Sequence, residues 1–157
     1  MRTKYDWGYE HAIANAGNQP EKWRMLEVSE WSYLLNTRTN AANKWAWYKV
    51  NSVSGLVILP DDWVLPDGVT FTAGMASGKT YTVAQWKKME AAGAIFLPIE
   101  GEYFGNYWSC SRKSDDIAGV RDFAGVLILS YSTAPRSNTD KAMADTYFIR
   151  LVSTVVF

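Results

Sequence analysis

The two residue types that build most metal and redox sites are nearly missing: 157 residues contain one cysteine, Cys110, and one histidine, His11. A single thiol can neither close an internal disulfide nor anchor a Cys-rich zinc site, and one imidazole cannot supply a His-based metal cluster. Charge of one sign is also missing. Sixteen Lys and Arg balance sixteen Asp and Glu, and no run of basic residues occurs. The electrostatic footprint of a nucleic-acid or anionic-membrane binder is therefore absent, and nucleic acid is not an expected partner. The apolar runs from Gly55 to Pro60, Ala94 to Pro98 and Val126 to Leu129 fall far short of the ~20 residues that span a bilayer, so no transmembrane segment is expected. Met1 is followed by Arg2, Thr3, Lys4, Tyr5 and Asp6 with no apolar signal core. Two expectations follow: a cytosolic or virion-borne protein, or an exported one whose signal has been trimmed. No repeat, low-complexity tract or linker breaks the chain, which is expected to form one domain over 1–157.

Aromatic residues are abundant. Eight Trp, nine Tyr and six Phe make up 15% of a chain that is 48% hydrophobic and 20% charged. That composition is far from the polar, highly charged one that stays disordered. Aromatic side chains bury large areas and can also anchor partners, so the count suits a rigid scaffold or a recognition surface without choosing between them.

Two helices are legible. Ser29 is placed to cap a helix ending near Asn36 whose Trp31, Leu34 and Leu35 share one face. Thr82 with Gln85 three residues on has the capping-box pattern, Val83, Trp86 and Met89 line one face, Lys87 and Lys88 face water, and Gly93 stands where a C′ glycine stops the helix. A weaker helix is expected from about Tyr9 to Ala16. Elsewhere short strands are bounded by turns: Leu56–Leu59 before Pro60 and Asp61-Asp62, alternating Val69–Thr72, and Ala94–Leu97 before Pro98. The apolar, β-branched stretches Val126–Tyr131 and Thr146–Phe157 suit paired central strands. Trp45 and Trp47 alternate on one side of a strand, where core packing is the expectation. Helices early and strands late give an α+β class.

Catalytic constellations are not found. His11 beside Glu10 has no second imidazole, and Cys110 within Trp108-Ser109-Cys110-Ser111 has no resolving cysteine and no evident base. The stretch Gly74-Met75-Ala76-Ser77-Gly78-Lys79-Thr80 approaches a phosphate loop, but its first glycine is one place too near. It reads as a loop before the Thr82 helix. The acidic pairs Asp61-Asp62 and Asp115-Asp116 lack the spacing of a calcium loop and read as turns. No enzyme activity, no metal and no cofactor are expected.

A longer pattern remains. Trp23-Arg24-Met25-Leu26-Glu27-Val28-Ser29-Glu30-Trp31-Ser32-Tyr33-Leu34-Leu35-Asn36-Thr37-Arg38, then Gly55-Leu56-Val57-Ile58-Leu59-Pro60-Asp61-Asp62-Trp63, Tyr81-Thr82-Val83-Ala84-Gln85-Trp86 and Met89-Glu90-Ala91-Ala92-Gly93-Ala94-Ile95-Phe96-Leu97-Pro98 follow in order. Tyr107-Trp108-Ser109 and a closing Ile149-Arg150-Leu151-Val152 continue the series. Together they resemble the C-type-lectin-fold domains of gut Bacteroidetes and their phages, the fibrobacter major-paralogue (FISUMP) type, over nearly the whole chain from about Asp6. That fold is similar to those of the variable proteins of diversity-generating retroelements and of formylglycine-generating enzymes. The resemblance implies two helices flanking a small antiparallel sheet, termini near each other and, with one cysteine, no disulfide. The paired cysteines of the formylglycine enzymes and the Ca²⁺ loops of animal lectins have no counterpart here, so neither activity is implied.

The chain departs from the family pattern after Gly105, where Cys110 follows Trp108-Ser109 and a mixed stretch runs to about Asp145. In retroelement variable proteins this is the region that is diversified. The resemblance thus implies a display segment at about 105–145 on a fixed frame. Tyr103, Asn106, Tyr107, Arg112, Arg121, Asp122, Tyr131, Arg136, Asn138 and Asp140 are its candidate ligand-binding residues, rich in the Tyr and Arg that anchor interfaces. Trp45, Trp47 and Tyr48 are a possible extension of that patch. The expected partner is a surface ligand, a protein foremost, met by a monomer at a cell surface or on a phage particle. A structural pilus or tail subunit, and an enzyme with Cys110 as nucleophile, are the alternatives.

Overall fold

The computed structural model describes residues 22–75, 79–100, 104–113, 123–130, 133–142 and 147–153. The expected Tyr9–Ala16 helix, His11 and Asp115-Asp116 lie outside the described residues. The protein is α+β; the described residues form two short α-helices and three sheets, and its lone Cys110 forms no disulfide. It divides into two compact units that interleave in sequence. One takes the chain up to Trp31, residues 106–128 and 137 onward; the other takes Ser32–Gly105 and Leu129–Arg136.

The second unit, called here the hairpin unit, is built on strands β2 (Trp45–Val50) and β3 (Val53–Ile58), joined by Asn51 and Ser52 at φ 47° and 72°. Positive φ at both turn residues matches the right-handed twist of a two-residue hairpin. In sheet order the strands run β4 (Thr80–Tyr81), β2, β3, β5 (Ile95–Pro98), with β4 parallel to β2 and the other pairs antiparallel. Trp45, Ala46, Trp47 and Tyr48 are all buried, so β2 has no solvent face and both tryptophans are core, as their alternation predicts. Gly55, central in β3, lies under the Phe96 ring; a Cβ there would stand 2.5 Å from that ring and 2.5 Å from the Leu97 carbonyl oxygen.

Helix α2 (Val83–Ala91) begins and ends as its sequence says. The Gln85 N–H donates to Thr82 Oγ1 at 3.2 Å, and the Thr82 N–H donates to Gln85 Oε1 at 3.0 Å, which closes the capping box. Gly93, at φ 91°, donates to the Glu90 carbonyl while Ala94 donates to that of Met89, the paired bonds of a Schellman stop. The expected apolar face is narrower than its periodicity suggests. Met89 is buried, Trp86 is half-buried against the core beside Phe96, and Val83 is 47% exposed. A residue at the first helical position leans toward the helix N-terminus and has no preceding turn to cover it. Lys87 and Lys88 are exposed, as expected.

Val69–Thr72 is not a strand. Its alternation survives, Val69 buried and Thr70 exposed, but the ladder is replaced by two phenols. The Thr72 N–H donates to Tyr48 Oη at 2.9 Å, and Tyr81 Oη donates to the Thr70 carbonyl at 2.7 Å. The Tyr48 and Tyr81 rings stack 4.4 Å apart, with Phe71 at 5.8 Å from Tyr48. Burial, with Tyr48 beside it, holds the Tyr81 phenol well above its ordinary pKa, so it stays a neutral donor.

The first unit, the clasp unit, pairs β1 (Trp23–Met25) with β9 (Leu151–Ser153), antiparallel, Arg24 opposite Val152. Only this part of the expected Thr146–Phe157 strand is seen; 154–157 lie outside the described residues. Helix α1 (Val28–Ser32) starts two residues earlier than a cap at Ser29 implies and passes into a π-helical stretch, Tyr33–Thr37. Ser29 is inside the helix, not its cap. The Glu27 carbonyl accepts from the Trp31 N–H at 3.0 Å, and Glu30 reaches back to the Glu27 N–H at 2.8 Å, so the first turn is closed from its third position. Trp31 and Leu35 are buried as their spacing predicts, and Leu34 is half-buried.

The third sheet runs β6 (Phe104–Lys113), β7 (Phe123–Ser130), β8 (Arg136–Ala142). Strand β7 is the middle strand and its Val126, Leu127 and Leu129 are buried, as the apolar Val126–Tyr131 stretch leads one to expect, so these positions within 105–145 are frame.

Two core substitutions check these assignments in urea melts. Trp31→Ala should cost ~3–5 kcal/mol, as large-to-small changes at fully buried rings do, and half-buried Trp86→Ala distinctly less. Gly55→Ala should cost about 1–3 kcal/mol through overpacking against the Leu97 backbone.

Candidate functional site

Strand β6 carries the clearest division between frame and surface. Gly105, Tyr107 and Ser109 are buried, while Asn106, Trp108 and Cys110 between them are half-buried, the period of two that puts alternate residues on opposite faces. Arg112 falls on the same parity as Asn106 by position. Of the expected ligand-binding residues, Asn106 and Arg112 therefore share one register of β6. Tyr107 takes the other and is corrected: at 3% exposure it is core, its ring 5.2 Å from that of Phe148. Loss of hydration raises its phenol well above the ordinary range, although Arg150 acts in the opposite direction.

Arg136, Asn138 and Asp140 hold alternate positions of β8, and Arg136 is exposed. Tyr103, Arg121, Asp122 and Tyr131 lie outside the described residues. Trp45, Trp47 and Tyr48, the possible extension of the patch, are buried and display nothing.

The far edge of β6 is tied to both ends of the chain. Trp108 N–H donates to the Phe148 carbonyl, and the Phe148 N–H to that of Asn106, each at 2.9 Å; Cys110 N–H donates to Leu26 at 3.1 Å. The Cys110 thiol donates to the Met25 carbonyl at 3.3 Å. The thiol is thus engaged with the backbone of β1, a structural joint. Where α1 comes very close, the buried side of β6 carries the small residues Ser109 and Ser111. A Cβ on Gly125 would lie 2.2 Å from Val28 Cγ2 and 2.8 Å from Ser109 Oγ. Ser111 Oγ accepts the Val28 N–H at 2.9 Å, satisfying a donor that the helix start leaves free. On the other parity, Trp108 packs at 4.7 Å against Tyr147, an aromatic pair that the residue list from the sequence omitted. Its only sequence signal was the aromatic richness of Tyr107-Trp108 and Tyr147-Phe148.

Two charged clusters hold turns. Arg24 grips Glu30 bidentately, at 2.6 and 2.5 Å, and that bond holds the Glu30 carboxyl below its ordinary pKa against some desolvation. In the hairpin unit Asp61 accepts from Lys44 Nζ at 2.8 Å, from Tyr33 Oη at 3.1 Å and from buried Arg38 at 3.3 Å. The Lys44 bond leads in lowering its pKa. Arg38 also donates to the Leu59 carbonyl at 2.8 Å. The Asp61-Asp62 turn expected from the sequence is therefore a cation-held turn. Among the described residues no three His, Cys, Asp or Glu gather as a metal site, and no helix is long and apolar enough to cross a membrane.

Comparison with family models, with curated proteins and with solved structures gives no match to this chain.

Both lowered carboxyls have the same sign in linkage. Their stabilisation is complete above the unfolded-state values of about 3.9 for Asp and 4.3 for Glu. It is lost as pH falls through the lower folded values. Urea midpoints measured from neutral to acid pH should accordingly fall in the parent, and fall less steeply in Asp61→Asn and Glu30→Gln. Unchanged slopes in both variants would show these bonds contribute nothing.

Proposed function

We propose that the chain is a recognition module of the C-type-lectin fold, related to the variable proteins of diversity-generating retroelements. A fixed frame offers the outer positions of β6 and β8, with the segments that follow β6 and β7, to a protein ligand at a cell surface or phage particle. Asn106, Arg112, Arg121, Asp122, Tyr131, Arg136, Asn138 and Asp140 are its contact residues, with Tyr103; Tyr107 is given to the frame.

The observation that carries this reading is the pairing of β1 with β9, which draws the described ends of the chain together as a lectin-type fold requires. The burial alternation along β6 adds to it, since it separates residues the fold needs from residues it does not. Cys110 favours recognition over catalysis: its thiol serves the backbone of β1.

Two measurements test the proposal. If all three belong to the display face, joint replacement of Arg112, Arg121 and Arg136 by Ala should move the melting temperature by less than about 2 °C, because exposed sites rarely shift stability by more than ~0.5 kcal/mol. A library randomised at the nine contact positions and displayed on yeast should keep folding and yield binders to immobilised lysozyme. Collapse of the library, or a folded library without binders, overturns the proposal.

A further inference from the structure

Among the described residues the sheet β6-β7-β8 ends on β8, Arg136-Ser137-Asn138-Thr139-Asp140-Lys141-Ala142. An outer strand offers a row of backbone N–H and C=O groups to any strand that can lie beside it. Edges are commonly guarded by an internal proline or by charged side chains, lysine above all. Strand β8 has no internal proline, since Pro135 precedes it, and its charged residues Arg136, Asp140 and Lys141 are of both signs, so a second copy of the strand can answer them. We propose that β8 pairs antiparallel with β8 of a second copy of this chain, about a two-fold axis at Asn138, joining two three-stranded sheets edge to edge.

Symmetry and chemistry select the register. Hydrogen-bonded and non-hydrogen-bonded pairs alternate along an antiparallel ladder, so a two-fold axis has to pass through a residue opposite its own copy. With the axis at Asn138, Arg136 stands opposite Asp140, Ser137 opposite Thr139 and Asn138 opposite itself. Those are opposite-charge and hydroxyl pairs, two of the classes that stabilise cross-strand neighbours, with an amide pair on the axis. An axis at Thr139 places Arg136 opposite Ala142 and loses both ion pairs. An axis at Ser137 places Arg136 opposite Asn138 and Asp140 opposite Ala134, beyond the strand, and loses both ion pairs as well; in the favoured register Pro135, which has no N–H, faces Lys141 and ends the ladder at the Arg136–Asp140 pairs. The favoured ladder is short, so the dimer is weak and forms only at high protein concentration; dilute protein is the monomer that the sequence leads one to expect. The pairing does not rest on the recognition reading, but it places Arg136, Asn138 and Asp140 between copies.

Sedimentation equilibrium of the full chain over a wide concentration range tests this. The parent should show a reversible monomer–dimer equilibrium that weakens with salt. Arg136→Asp or Asp140→Arg alone puts like charges opposite each other twice, by symmetry, and should weaken dimerisation about tenfold or more. In a mixture of the two variants, a strand acidic at both of these positions faces a strand basic at both, which should restore a heterodimer at parental strength. Unchanged thermal melts separate this outcome from misfolding. A parent that stays monomeric at every concentration overturns the proposal, as does a dimer indifferent to either reversal or a mixture that does not associate.

Discussion

Strand β2 has no face left for water, and the hairpin unit follows from that constraint. Four consecutive residues, Trp45 to Tyr48, are buried, so the strand needs cover on both sides as well as neighbours along both edges. One side is supplied by a layer of rings, Tyr48 stacked between Tyr81 and Phe71. A buried phenol needs a partner, and the partners are backbone groups of Thr70 and Thr72. A loop that has no ladder of its own is thereby laid down beside the sheet. Gly74 then exchanges bonds with Trp45 and Trp47, which finishes the edge of β2.

The clasp unit solves a different problem, holding two distant stretches of chain against one long strand. Strand β6 does so with its backbone, through Phe148 and Leu26, while the missing side chain of Gly125 and the small hydroxyls of Ser109 and Ser111 let the first turn of α1 approach. A larger residue at Gly125, Ser109 or Ser111 would push the helix away. The opposite parity is under no such restriction, and the proposed recognition positions Asn106 and Arg112 fall there. The late part of the chain is thus neither all frame nor all display. Its middle strand is core, and β6 alternates between buried and half-buried positions from Gly105 to Cys110.

Local chemistry was the most legible part of the sequence. Thr82, Gln85 and Gly93 act within a few residues of one another, so nothing distant can override them, and α2 begins and stops where they say. Trp45 and Trp47 announced core by alternation and mass. Ser29 misled because a better arrangement was available close by: Glu30 closes the turn from within and is held there by Arg24, a residue of β1 whose nearness no local pattern reveals. Val69–Thr72 misled because alternation reports which side is buried, not whether a neighbour strand exists to bond with. Tyr107 was placed on the display side by residue type, yet the parity of β6 puts it within the core.

The amino-acid order by itself determined both ends of α2, the α+β class, the absence of a disulfide and the burial of Trp31, Trp45 and Trp47, since each depends on composition or on neighbours within a turn or two. Only the tertiary structure decided which parity of β6 faces inward, that Cys110 serves the backbone of β1, and that β8 is, among the described residues, an outer strand of its sheet. Those outcomes depend on pairings between residues tens of positions apart, and the same alternating pattern is compatible with either face until its partner strand is in place.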